Sequence, residues 1–349
     1  MILTMIAVCT LSGCKNEKAA EQTTELTTAE PTTEMTEATT EDLHKGQALS
    51  RLSGEWREED VVNRRPIAVM INNIKQAQPQ SGLADADIVY ECLVEGGITR
   101  FMALFEQYDS IEKLGSVRSA RHYYVEIADE YDAIFAHYGQ TKYAVSEIQK
   151  RGMDTLSGLS SLGSTIYYRD SNRVAPHNAY TNAKGLLEGI KRQNSQTEYK
   201  ADQEPHFQFH EQVEKQDGEA AKTVKLNYST YSTPYFEYDE QEGVYRRFQY
   251  GEPQIDDQTG EQLTYQNIVV QYVKEWNIDH NGYQTMDLTS SGKGTFITMG
   301  TAIPITWEKQ SDDGITKYYT EDGEELLLNP GKTWISIFPN DRTFDVKFQ

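Results

Sequence analysis

Cysteine is scarce in this chain: its 349 residues include three, Cys9, Cys14 and Cys92. Cys9 and Cys14 belong to the amino-terminal apolar run and its end, and Cys92 stands alone in the rest of the chain, which argues against an intramolecular disulfide and against a paired-cysteine metal motif there. No HExxH motif or EF-hand loop is present either. Asp256-Asp257-Gln258-Thr259-Gly260-Glu261 leaves the calcium pattern after its first positions and reads as a hairpin turn. Neither a metal nor a cofactor is expected. Basic residues are outnumbered, 33 Lys and Arg against 54 Asp and Glu, for a formal net charge of -21. That balance disfavours nucleic acid and anionic lipid surfaces as nonspecific partners. The apolar run at the amino terminus, Met1 to Leu11, is shorter than the about 20 residues needed to span a bilayer.

That run does end in Leu11-Ser12-Gly13-Cys14 and then turns polar. Small side chains next to a scissile bond after a short apolar stretch are the mark of a secretory signal. Cys14 is then the lipid-modifiable first residue of the mature protein, and a two-chain anchor holds stably. No Lys or Arg precedes the run, where a signal peptide carries a basic start. The competing reading is a buried terminal strand with an incidental cysteine. Residues 15–48 argue against it. They hold eight acids, three lysines and no aromatic side chain, too little apolar surface to offset the entropy of ordering. A self-repelling, extended tether is expected. The location implied is the outer face of the cytoplasmic membrane, lipid-anchored, with no other membrane contact.

The remainder is long enough for two cored domains. Residues 52–192 alternate short apolar runs with helical patterns. Strands are expected at Ile67 to Ile71, Ala86 to Val94, Arg100 to Tyr108, Asp132 to Tyr138 and Thr165 to Tyr168, closely enough spaced that part of the sheet is antiparallel. Helices are expected from Ser119, a candidate cap, through Tyr123, Ile127 and Tyr131, at Thr141 to Lys150 with Val145 and Ile148 inward, and at Thr181 to Lys191 with Leu186, Leu187 and Ile190 inward. Residues 193–221 read as a polar connection. From 222 to 345 the pattern is one of short strands between turn signals such as Asn329-Pro330-Gly331. The fold class is α+β, a mixed α/β domain followed by a mostly β one. Trp276, Trp307 and Trp334 are expected in the β core, the alternative being an exposed aromatic that stacks on a sugar, and Cys92 reads as a small buried hydrophobe in a strand.

Chemistry concentrates in the first domain. Arg118 and Arg121 are three apart at a helix start, so they project from one side, and free N–H groups there favour a carboxylate or phosphate. Glu95 is placed to orient them, and Arg100, Arg173 and Asn178 are further ligand-binding candidates. The competing reading is that both arginines pair with internal acids such as Glu95 or Glu126. His137 follows an apolar strand and precedes a helix, a common position for ligand groups. His137, His177 and Glu95 are the catalytic candidates, the competing reading of His137 being a satisfied structural histidine. Asp170 and His177 can form an orienting pair, and Ser171 invites a nucleophile reading, although no triad spacing supports it.

Four segments, RRPIAVMINN, QSGLADADIVYECLVEGGITRFMALF, GSVRSARHYYVEIADEYDAIFAHYG and YRDSNRVAPHNAYT, resemble the first domain of the YerB-like lipoproteins, a family built on the domain of unknown function DUF3048. Two later ones, YRRFQYGEPQIDDQTGEQLTYQNIVVQ and LLLNPGKTWISIFP, resemble its C-terminal partner domain. The resemblance runs from Leu52 to Asn340 and implies a surface lipoprotein of two domains, without a catalytic set to carry over. Three functions remain open at this point. One is a binding or scaffolding module for an anionic envelope ligand, with a cell-envelope protein, peptide or glycan as partner. Another is an envelope hydrolase or transferase using His137 or His177 as base. The third is a purely structural partner protein.

Overall fold

Every residue of three early runs is buried: β1 (Ile67–Asn72), β2 (Ile88–Leu93) and β3 (Thr99–Phe105). Largely apolar runs of this kind form strands covered on both faces. In the computed structural model, which describes residues 43–349, they are the middle of a sheet of eleven strands. The first fourteen residues, with Cys14, and residues 15–42 of the expected tether lie outside the described residues. Gln47 and Ala48, at the tether's expected end, belong instead to a small strand paired with Trp56–Glu58.

The sheet continues with β4 (Ile134–His137) and β5 (Thr155–Ser157), then takes up β6 (Glu219–Ala220), β7 (Asn267–Val273), β8 (Ser291–Thr298), β9 (Thr301–Glu308), β10 (Lys317–Thr320) and β11 (Thr333–Pro339). Its order is β6-β9-β8-β7-β11-β2-β3-β1-β4-β5, with β10 also on β9. β3 lies antiparallel between β1 and β2, as the close spacing of these runs implies. Helices α1 (His122–Glu130), α2 (Lys142–Arg151) and α3 (Ala183–Gln193) all belong to the first half. The class is therefore mixed α/β followed by mostly β. The two halves share one sheet, because β11 runs parallel to β2 on one side and to β7 on the other. Residues 44–349 form one compact unit.

A second sheet of six short strands, from Thr223–Leu226 to Val346–Phe348, meets the first through Phe236 on Trp334 and Arg247 on Glu91. Its strand Val244–Gln249 alternates buried and half-buried residues, the pattern of a sheet with one covered face. At the tip of the β8–β9 hairpin, Met299 and Gly300 both have positive φ, 49° and 77°. That pair matches the twist of the flanking strands, and a Cβ on Gly300 would strike the Tyr238 ring at 2.9 Å.

Several expectations are corrected. Helix α1 starts at His122 with Arg121, not Ser119, at its cap position. Residues 163–166 form a helical turn where a strand was expected, leaving only Tyr168–Arg169 extended. Leu187 faces solvent at 39 % exposure and Trp276 at 46 %, whereas Trp307 and Trp334 are buried. Both exposed residues sit beside polar neighbours, and apolar identity alone does not fix a side. Residues 193–221 are more than a connection: they carry β6, and His206 and Phe207 are buried. The stretch at Asp256 is the expected hairpin turn, closed by Gly260 N–H on Asp256 O at 2.9 Å.

Two buried ionic contacts hold the halves together. Arg247 Nη2 donates to Glu91 Oε2 at 2.8 Å with both side chains wholly buried, and the guanidinium lies 4.1 Å from the centre of the Trp334 ring. Glu130, at the end of α1, accepts from Lys309 Nζ at 2.9 Å, His206 Nε2 at 3.0 Å and Thr316 N at 2.8 Å. Burial works against the Glu130 carboxylate, but its hydrogen bond from His206 and the Lys309 charge outweigh that and hold it at about 2.

Breaking a buried pair from one side strands the other charge, so Arg247→Met should lower stability by about 3–5 kcal/mol in urea unfolding, and Glu91→Leu with Arg247→Met together should cost less. Glu130 has its pKa depressed on folding. Its stabilisation is complete above the usual value near 4.5 and is lost as the pH falls toward about 2. Unfolding from pH 6 to pH 2 should show about 3 kcal/mol of pH-dependent loss that Glu130→Gln removes.

Candidate anion site

Strands β1 and β4 run parallel in register from Ile67 against Ile134 to Val69 against Ala136, and then part. Residues 116–120 enter the gap. Asn72 N–H donates to Ser116 O and Arg118 N–H to Met70 O, both at 2.9 Å. On the other side Tyr138 N–H donates to Arg118 O at 3.0 Å and Ala120 N–H to Gly139 O at 2.9 Å. The wedge satisfies backbone groups that the separating strands leave open. It also places Arg118 at the carboxyl ends of two parallel strands, where open α/β sheets hold ligands.

Arg118 is half-buried, and its side-chain contact is a 3.3 Å hydrogen bond from Nη1 to Pro176 O. Its Nε is shielded and has no partner. Burial, with Arg121 and Arg169 nearby, holds its pKa below the ordinary arginine value. Arg169 is exposed, donates to Asn178 Oδ1 at 2.8 Å and stacks 4.4 Å from the centre of the Tyr138 ring. Among the described residues neither Arg118 nor Arg169 has a carboxylate within ion-pair distance. His177 Nδ1 lies 2.8 Å from Asn72 Nδ2. The amide nitrogen donates, so Nδ1 accepts and the imidazole proton sits on Nε2. Burial, and then Arg118, hold His177 below its usual pKa.

The other candidates are engaged elsewhere. Arg121 is buried and fully occupied by Glu95, from Nε to Oε1 at 2.6 Å and from Nη2 to Oε2 at 2.5 Å. Burial raises the Glu95 pKa, but these two bonds outweigh it and the net shift is downward. Glu95 therefore holds Arg121 and not Arg118, and the expected two-arginine clamp is not formed. Arg100 is buried beneath them, donates to Ser119 O at 2.6 Å and falls to about 9 because of burial and the Arg121 charge. Arg173 is turned to the carbonyls of Gln78 and Pro79, at 2.9 Å each. Asp170 pairs with Lys113 at 3.0 Å instead of approaching His177, and Ser171 is exposed.

His137 is 1 % exposed, with Nδ1 donating to Gly139 O at 2.9 Å and Nε2 shielded without a partner. Burial pushes it down to about 4. Cys92 is wholly buried, its thiol raised by burial.

Arg118, His177 and Asn178 thus come together, and Arg169 joins them. Arg169 is not singled out by the sequence although it stands in the same polar loop, because its placement depends on stacking over Tyr138, thirty-one residues away.

Two family models cover most of the described residues. The chain matches the N-terminal domain of a protein of unknown function, DUF3048, over residues 52–198 and the C-terminal domain of the same family over 224–335. The chain belongs to the DUF3048 family. It is 36 % identical over 292 residues to a protein of Bacillus subtilis strain 168 described as putative lipoprotein YerB, covering 83 % of this chain and 86 % of that one. The crystal structure of YerB from Bacillus subtilis superposes with a TM-score of 0.77 at 32 % identity, covering 86 % of this chain and 99 % of the other. All residues of the anion cluster fall in the first DUF3048 domain, whereas Arg247 and Trp334 fall in the second.

The two arginines should respond differently to truncation. Arg121→Ala leaves the Glu95 carboxylate unpaired and should cost about 1–3 kcal/mol. Arg118→Ala removes one long bond to a carbonyl and should stay within about 0.5 kcal/mol of the parent. Thermal unfolding of the two variants side by side checks this.

Proposed function

We propose that this DUF3048 protein is an extracytoplasmic lipoprotein, anchored through Cys14 to the outer face of the cytoplasmic membrane, whose first domain holds an anionic cell-envelope ligand at Arg118. The observation that carries the ligand reading is charge. In a chain with a net charge of -21, Arg118 and Arg169 stand together without a neutralising carboxylate among the described residues. Arginine without an internal acid keeps its forked donors for a carboxylate or phosphate. The anchor reading rests on Leu11-Ser12-Gly13-Cys14 and on the relative described as a putative lipoprotein. No helix among the described residues is long and apolar enough to cross a membrane.

The hydrolase or transferase reading has less support. His137 is sealed from solvent, and His177 faces an amide and an arginine in place of the carboxylate that would orient a base.

A soluble muramyl peptide bearing free carboxylates is the probe for the ligand. Arg118→Ala should bind it about 10- to 100-fold more weakly in calorimetry, the loss of one charge-assisted contact. Equal affinity of variant and parent contradicts the site. Cys14→Ser should move the protein from the detergent-rich to the aqueous phase in a detergent partition of expressing cells, and an unchanged partition contradicts the anchor.

A further inference from the structure

The geometry at Arg118 points to more than a single negative charge. Arg118 Nη1 donates to Pro176 O at 3.3 Å and Arg169 Nη1 to Asn178 Oδ1 at 2.8 Å, so guanidinium groups from two different loops reach the residues on either side of His177. Like charges gathered around one residue repel, and an anion held between them relieves the repulsion. Beside them stands His177, whose proton-free Nδ1 faces an amide that can turn. A half-turn of the Asn72 amide presents Oδ1 in place of Nδ2, and Nδ1 can then carry a proton.

The groups facing His177 are few. From β1 there is Asn72, uncharged, and from the wedge there is Arg118. On its own loop, Arg173 is turned to the carbonyls of Gln78 and Pro79, and Asp170 is turned to Lys113. None of these is a carboxylate held against the ring.

We propose that Arg118, Arg169 and His177 form one receptor for a dianionic phosphoryl group, with His177 taking a proton from solvent as the group enters. This rests on the anion-site reading above and narrows its ligand from anions in general to phosphoryl groups. No bond to phosphorus is made or broken. The proton moves from buffer to His177 Nδ1, while Nε2–H remains free to donate alongside the guanidinium groups. A carboxylate offers one charge and matches one arginine, whereas a phosphomonoester offers nearly two near neutral pH and three acceptor oxygens.

The test uses the folded protein with inorganic phosphate, glycerol 3-phosphate and glycerate, titrated by calorimetry at pH 8 in two buffers of different ionisation heat. Glycerol 3-phosphate should bind at least about tenfold more tightly than glycerate, with net proton uptake. His177→Gln should bind with no proton uptake. Arg169→Ala, at an exposed position where folding is not at risk, should bring the phosphoryl and carboxylate affinities together. Vesicles of phosphatidylcholine with phosphatidic acid separate two sources: capture by vesicles assigns the group to a lipid headgroup, and capture of the soluble ester alone assigns it to a free phosphate ester. Binding of glycerate as tight as glycerol 3-phosphate, or phosphoryl binding without proton uptake, overturns this inference. If those results come with Arg118-dependent glycerate binding, the anion site stands. If Arg118→Ala binds every anion as the parent does, the anion site fails as well.

Discussion

The contact between Glu91 and Arg247 couples the two halves of this molecule. A carboxylate on a central strand of the large sheet meets a guanidinium from the second sheet, and both side chains are wholly buried. Taking two charges out of water is costly unless each finds partners. Here the partners are specific: Asn73 Nδ2 at 3.3 Å on Glu91, Gln249 Oε1 at 3.2 Å on Arg247, and the Trp334 ring against the guanidinium. Trp334 lies on β11, the strand that joins β2 of the first half to β7 of the second. Register, sheet packing and charge satisfaction therefore meet at one place. The same pair that ties the sheets also fixes Asn73, which follows β1 and stands next to Asn72, the partner of His177.

That adjacency matters for the site. The wedge at 116–120 depends on β1 and β4 separating after Val69 and Ala136, and on β1 being held by β3 along its other edge. Arg118 is positioned by backbone bonds on both sides of the gap, so its base is rigid while its guanidinium has one weak contact. Arg121, three residues on, shows the opposite economy: its fork is filled by Glu95, and it serves the fold. A preorganised base with unspent donors is the arrangement a binding site needs.

Much of the strand pattern was legible from sequence, for identifiable reasons. Ile67 to Ile71, Gly294 to Thr298 and Thr333 to Pro339 carry β-branched and aromatic residues in runs, and each forms a strand. What the runs cannot show is pairing partners. Nothing local to Thr333–Pro339 indicates that it lies between two halves of the chain, and this nonlocal pairing turns two sequence domains into one sheet. The same limit applied at the site. The spacing of Arg118 and Arg121 placed both near a helix start, but only three-dimensional contact separates the arginine that meets Glu95 from the one that does not. Ser119 resembled a cap because of its type, yet the chain stays extended for two more residues to fill the gap between β1 and β4. Trp276 shows that residue type does not decide burial: it stays half-exposed on a two-stranded sheet, Glu275–Asn277 against Gln284–Met286, whose residue Thr285 is buried on His122.

The central claim is that the two DUF3048 domains of this chain fold as one unit through the shared sheet and its buried ion pair. Native-state hydrogen exchange tests it most directly, with amide protection followed in β1 and in β8 as urea is added. The account predicts that both strands open with the same free energy and the same urea dependence. Loss of protection in β8 at lower urea than in β1, or the reverse, would contradict it.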